Sequence, residues 1–270
     1  PMSGWQIAFK DYSIFRGVAA SPWAGLEHFA TLMGNDQFLR ALKNTVIISF
    51  YGLIFGFPMP IILALMFNEI LREMFKKTAQ TIVYLPHFIS SVIIAGIVIT
   101  GFSPSAGIVN TVMGWFGVDP IYFLTKPEWF RPIFVGTTIW QEAGFQSIVY
   151  LAAIAGVSPT LYESAVVDGA SRWQMMWKIT VPSIMPTIII MLIIRIGNML
   201  EVSFEMIILL YQPATYQTAD VVNTFIYRQG IQGGQYDLAA AAGLFNAVVA
   251  FVLVMTANTI SKRYSRTSLW

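Results

Sequence analysis

Residues 42–67, LKNTVIISFYGLIFGFPMPIILALMF, form an apolar run interrupted by one charged residue, Lys43. A helix that crosses a bilayer needs about 20 predominantly apolar residues, and this run supplies them. Four further stretches meet the same requirement, at 82–101, 131–156, 184–210 and 237–260. Only 11% of the chain is charged and 56% is hydrophobic, whereas soluble domains carry about 25% charged residues. The reading is all-α: a polytopic membrane helix bundle with five full spans, organised as one domain over residues 1–270. Pro58 and Pro60 are expected to kink the first span. The opening PMSGWQIAF resembles the tail of a further helix. With Pro1 in place of an initiator Met, a segment is expected to precede it.

Charge and composition narrow the function classes. A net charge of +2 is too small to argue for nucleic acid. The absence of cysteine excludes disulfides and thiolate metal sites. An aromatic content of 14% suits interfacial belts of Trp and Tyr. Lys and Arg set the orientation. Arg72, Lys76, Lys77, Arg172, Lys178, Lys262, Arg263 and Arg266 fall in segments 68–81, 157–183 and 261–270. Those segments hold basic residues about twice as densely as the opposite side, which places them in the cytoplasm. The outer side then comprises the opening stretch, with Lys10, Arg16, Arg40 and Lys43, and the loops 102–131 and 211–236.

The cytoplasmic segment 157–183 is polar between two greasy runs. Ser158 before Pro159 is a helix start. Thr160 and Glu163 have the spacing of a capping box. Asp168-Gly169 ends that helix, since glycine tolerates the left-handed turn. Ser171 and Gln174 form another capping box. Trp173, Met176, Trp177 and Thr180 give the second helix an apolar face. Pro182 and Pro186 are expected to turn the chain back into the membrane. The segment reads as helix, glycine bend, helix, lying roughly parallel to the bilayer. From these residues alone, a surface hairpin with Glu163 as a mere cap is an equal reading.

Glu163-Ser164-Ala165, then Gly169, then Ile179-Thr180-Val181-Pro182 resemble the EAA loop of ABC-importer permeases, E-A-A-x3-G-x9-I-x-L-P. Ser164 and Val181 depart from that pattern. GLEHF (25–29), ALKNT (41–45), YLPHFIS (84–90), GIVN (107–110), WQEAGF (140–145), YDLAAAAGLF (236–245) and the terminal LW extend the likeness over nearly the whole chain. They are similar to carbohydrate permeases for oligosaccharides or polysaccharides, a group that includes the alginate importer. The resemblance implies six spanning helices in the subunit and a location in the bacterial cytoplasmic membrane. It makes the first loop helix a coupling helix that docks on an ATPase subunit through Tyr162, Glu163, Ala165, Asp168 and Gly169. It implies a second related permease, two ATPase subunits that bind ATP and Mg, and an extracytoplasmic solute-binding protein docking on the outer loops. This chain would itself bind no cofactor.

The fourth run carries Arg195, Asn198, Glu201 and Glu205. On one continuous helix they would share an arc of roughly 120°. Exposing Arg195 and Glu201 to lipid would cost on the order of 5–7 kcal/mol. They are expected to face the bundle interior, as a structural network or as a wall of the substrate path. Gln141, Glu142 and Asn246 are candidates of the same kind, and Glu142 also suits a helix contact beside Gly144. His87 and His28 read as interfacial.

No G-x-x-x-x-G-K-[ST] or H-E-x-x-H is present, so neither nucleotide binding by that loop nor a zinc protease is indicated. GFSPSAG at 101–107 lacks the spacing of a serine elbow. The rival reading is a self-sufficient sugar carrier or channel, which lacks any use for a coupling segment.

Overall fold

The computed structural model describes residues 2–265. Helices dominate and no strand occurs among them; an isolated bridge pairs Lys10 with Trp23. The opening stretch is a 3-10 helix, Met2–Phe9. The principal helices are α1 (Asp36–Glu69), α2 (Glu73–Tyr84), α3 (Ser91–Gly101), α4 (Ile108–Gly114) and α5 (Pro127–Ala155). They continue with α6 (Pro159–Val167), α7 (Arg172–Gly197), α8 (Phe204–Leu210), α9 (Val222–Ile226) and α10 (Tyr236–Ser265).

Among the described residues, α1, α7 and α10 are each long and apolar enough to cross a membrane unbroken. Two bent pairs raise the number to five if each counts as one span. The 82–101 run is not one rod. A short 3-10 turn, Leu85–Phe88, follows α2, and the chain then bends by 101° into α3. Pro86 starts this break because it cannot donate to the preceding turn. The 184–210 run is also interrupted: α7 stops at Gly197, and the chain is irregular until α8 begins at Phe204. Proline and polar residues mark both breaks, Pro86-His87 at the first and Asn198, Glu201 and Ser203 at the second, but each lies within a run whose average apolar content reads as one span.

The prolines act differently from expectation. In α1 a π turn, Gly52–Gly56, lies just before Pro58 and Pro60. In α7 a π turn, Met176–Thr180, lies just before Pro182 and Pro186. A proline cannot donate to the carbonyl four residues back and clashes with it. A wider turn there absorbs the mismatch, and the helix runs on. Residues 172–180 are therefore the beginning of a span and not a separate surface helix.

The chain falls into two compact units. One combines the segment ending at Phe50 with Ser91–Val135 and Asn198–Val252; the other combines Tyr51–Ser90, Gly136–Gly197 and the segment from Leu253. The first is centred on Leu32, Phe38, Ala41, Val222, Phe225 and Ala241. Phe38 meets Phe225 and Phe245 edge-on at 5.4 and 5.7 Å. There too α8 packs on α3, burying Met206, Ile207 and Leu210. The second unit is centred on Ala64, Leu65, Tyr150, Ile154 and Ile184.

Lipid is as apolar as leucine, so helices in a membrane associate by close packing rather than by escape from water. Gly144 of α5 shows this directly. A Cβ there would lie 2.1 Å from the Val83 carbonyl oxygen of α2. Gly136, on the same helix, has open space around it. Gly144→Ala is expected to lower the thermal midpoint of the detergent-solubilised protein, at a cost of at least about 1–3 kcal/mol for overpacking. Gly136→Ala is expected to leave the midpoint unchanged in the same melting experiment.

Candidate functional site

The loop after α5 is built for projection. α6 leaves the axis of α5 at 70°, set off by Gly156 and by Pro159 at its first position. Thr160 sits inside α6 and does not cap it. Ser158 precedes the helix, and its hydroxyl pairs with that of Thr160 at 2.8 Å. Proline at the first helical position already removes one orphan donor, so the Thr160–Glu163 box is not needed and does not form.

The far end of α6 closes in a Schellman motif. The Ala170 amide donates to the Ala165 carbonyl at 2.9 Å and the Gly169 amide to that of Val166 at 3.0 Å. Gly169 takes φ +74° with no atom near a would-be Cβ, so the need for glycine here is conformational and not steric. Ser171 then caps α7 with the expected reciprocal bonds to Gln174, at 2.8 and 3.3 Å.

These contacts sort the five proposed docking residues. Glu163, Asp168 and Gly169 are exposed, while Tyr162 and Ala165 are half-buried. The Tyr162 hydroxyl lies 2.9 Å from that of Thr180, which is buried in α7. Tyr162 therefore fastens α6 to the next span, and Glu163 with Asp168 faces outward. Val166 and Val167, at 61% and 87% exposed, give that outer face an apolar component.

The intramembrane polar residues do not form one arc. Arg195 lies on α7, Asn198 in the turn after it, Glu201 in the irregular stretch, and Glu205 on α8. The arc required a continuous helix, and the end of α7 at Gly197 removes it. Asn198, Glu201 and Glu205 are exposed. Arg195 is close to α1, since a Cβ on Gly52 would sit 3.4 Å from its Nη2.

Around Glu142 the structure gathers residues that the sequence kept apart. His87 Nδ1 and Glu142 Oε2 approach to 3.2 Å without the alignment of a hydrogen bond. The His87 ring stacks on Phe145 at 4.0 Å, nearly parallel. Gln141 Nε2 donates to the Ile89 carbonyl at 3.5 Å, beside the 101° bend. Together with the Gly144 contact, these bonds clamp the break after α2 against α5. His87 is thus part of a helix clamp, and no local spacing signals it. Asn246 on α10 is half-buried, with its side-chain oxygen unpartnered.

The loop 211–236 is anchored by a network that sequence spacing did not reveal. The fully buried Asp220 carboxylate receives both Arg228 nitrogens, at 3.0 and 2.7 Å, and the Thr224 hydroxyl at 2.7 Å. That bidentate bond raises the Arg228 pKa above its ordinary value. The guanidinium also lies over the Tyr216 ring, 5.4 Å from its centroid. Asn44 of α1 donates to the carbonyls of Gln217 and Asp220, and accepts from Arg131 at 2.8 Å. In the loop 102–131, buried Asn110 of α4 donates to the Ser103 and Ile121 carbonyls and accepts from the Ile121 amide.

The arrangement is that of a polytopic helical membrane protein whose spans are joined by an outward-facing, glycine-terminated elbow. Residues 56–266 match the family of binding-protein-dependent transport system inner membrane components, and the chain belongs to that family. It is 41% identical to the polygalacturonan/rhamnogalacturonan transport system permease protein YteP of Bacillus subtilis (strain 168), over all of this chain and 84% of that protein. Protein LplB of the same organism is 40% identical, over all of this chain and 85% of LplB. A crystal structure of a bacterial ABC transporter involved in import of the acidic polysaccharide alginate superposes with a TM-score of 0.92 and 59% identity, covering 98% of this chain and 89% of that one. A bacterial alginate ABC transporter solved with an alginate pentasaccharide-bound periplasmic protein matches at 0.92 and 58%, covering 100% and 90%.

Asp220→Asn is expected to strip the buried partner from Arg228 and to destabilise the protein by about 3 kcal/mol. Thermal unfolding in detergent should show the fall in midpoint.

Proposed function

We propose that this chain is a non-catalytic membrane subunit of an ABC importer for an acidic oligosaccharide or polysaccharide. The observation that carries the reading is the exposed face of α6, with Glu163, Val167 and Asp168, on a helix fastened at both ends. Family membership supports it, and favours a subunit driven by partners over a self-sufficient carrier. A second related permease completes the path, and two ATPase subunits bind ATP and Mg. An extracytoplasmic binding protein delivers the saccharide at loops 102–131 and 211–236. The cytoplasmic membrane of a bacterium is the matching location.

The mechanism follows from rigidity. Tyr162–Thr180 joins α6 to α7, and the 70° elbow joins it to α5. A displacement of α6 by an ATPase subunit then passes to two spans as rigid-body rocking. Glu163, exposed and acidic, is suited to a basic residue in the ATPase groove. Gln141, Glu142, Arg195, Asn198, Glu201, Glu205 and Asn246 are the proposed polar groups of the saccharide path, since carboxylates and amides bond sugar hydroxyls. Within this set, Gln141 and Glu142 double as clamp residues. The acidic substrate class rests on the likeness to the alginate importer and to the polygalacturonan permease, because both named polymers are built from carboxylated sugars.

Glu163→Lys is expected to abolish uptake in proteoliposomes while the complex still co-purifies. Normal uptake by that variant would remove the coupling role. The assembled transporter with its binding protein is also expected to raise its ATPase rate with uronate oligomers, and not with neutral oligomers of equal length. The reverse preference would overturn the acidic class.

A further inference from the structure

α7 is longer than a bilayer requires. Its 26 residues at 1.5 Å each extend about 39 Å, against a hydrocarbon core of about 30 Å. A tilt of about 20° shortens the projection by only about 2 Å. The surplus, roughly five residues, must lie outside the hydrocarbon. The residues before Gly197 are mostly isoleucine and leucine, whereas the other end reads RWQMMWK. The surplus is therefore placed at the start of α7, from Arg172 onward, at the level of the lipid headgroups.

At that level the apolar face expected of the helix divides in two. Thr180 is buried, and Met176 packs on the core that includes Tyr150 and Ile184. Trp173 and Trp177 stay at the surface, 66% and 51% exposed. Their rings meet edge-on with centroids 5.7 Å apart. Arg172 and Lys178 flank the pair; both are exposed, and neither forms an ion pair among the described residues. Two indoles between two unpaired cations, on the cytoplasmic side, match the amphipathic boundary of a leaflet that carries negative headgroups.

We propose that Trp173 and Trp177, with Arg172 and Lys178, form a docking site for anionic phospholipid headgroups of the cytoplasmic leaflet. The lipid holds the start of α7, and through Tyr162–Thr180 it sets the resting position of α6. The proposal rests on the cytoplasmic placement of this loop.

The chain has no cysteine of its own, so single-site labelling is clean. Trp173→Cys and Trp177→Cys, each carrying a bimane probe, are assembled with cysteine-free partner subunits in nanodiscs of phosphatidylcholine with graded phosphatidylglycerol. Val167→Cys on α6 serves as the reference site. Lipid spin-labelled at the headgroup is expected to quench the two tryptophan sites about threefold more than the reference, increasingly so with phosphatidylglycerol. Arg172→Gln with Lys178→Gln is expected to abolish the phosphatidylglycerol dependence. Quenching only by a water-soluble agent, or shielding of these sites that appears on addition of the ATPase subunits, overturns the lipid site in favour of solvent or a protein partner. The Val167 site reports separately on the coupling reading, since shielding there by the ATPase subunits is what that reading requires. If the labelled variants do not assemble, Trp173→Phe with Trp177→Phe in brominated lipid decides the matter. Loss of a quenched emission component supports the site, and an unchanged quench overturns it.

Discussion

A peptide group in hydrocarbon has no water to bond, and the rest of this structure follows from that constraint. It makes the chain helical, and it makes every interruption of a helix answer for its freed carbonyls and amides. The side chains that do so are the polar ones. Gln141 serves the Ile89 carbonyl, Ser49 the Met199 carbonyl and Asn223 the Val202 carbonyl. Asn44 holds two carbonyls of the loop 211–236, and Asn110 secures another turn. A buried polar group left unsatisfied costs about 1–3 kcal/mol, so these few amides make the irregular segments possible.

The same constraint explains what could be read from the sequence and what could not. Apolar length marks α1, α7 and α10 plainly, because lipid selects on length. Gly169, Ser171 and Gln174 are legible because a helix end needs particular local chemistry, and their bonds form as the spacing requires. The breaks near Ile89 and after Gly197 are not legible in this way. The groups that satisfy them lie far away in the chain. The arc drawn through Arg195, Asn198, Glu201 and Glu205 assumed a continuity that the peptide backbone does not have. The Asp220–Arg228 pair was hidden for a different reason: Asp220, Thr224 and Arg228 recur at helical spacing, but the segment is too short and polar to stand out as a helix by its apolar pattern.

On the reading proposed for this chain, the elbow of α6 is a lever and its fastenings decide how faithfully it moves the spans. The Schellman closure fixes where it ends. The Tyr162–Thr180 contact ties it to α7 beside the π turn. The clamp of His87, Gln141 and Gly144 ties the bend after α2 to α5. Each fastening is short and local, which suits elements that must shift as blocks.

The π turns before Pro58 and Pro182 also bear on how such blocks can be articulated. A wide turn followed by a residue that cannot donate leaves the backbone there with fewer cross-turn ties than in the rods on either side. Torsion applied to one end of α1 or α7 will concentrate at that loosened ring. In α1 this built-in swivel joins two stiff shafts, and in α7 it joins one stiff shaft to the single turn Arg172–Met175 that follows the elbow.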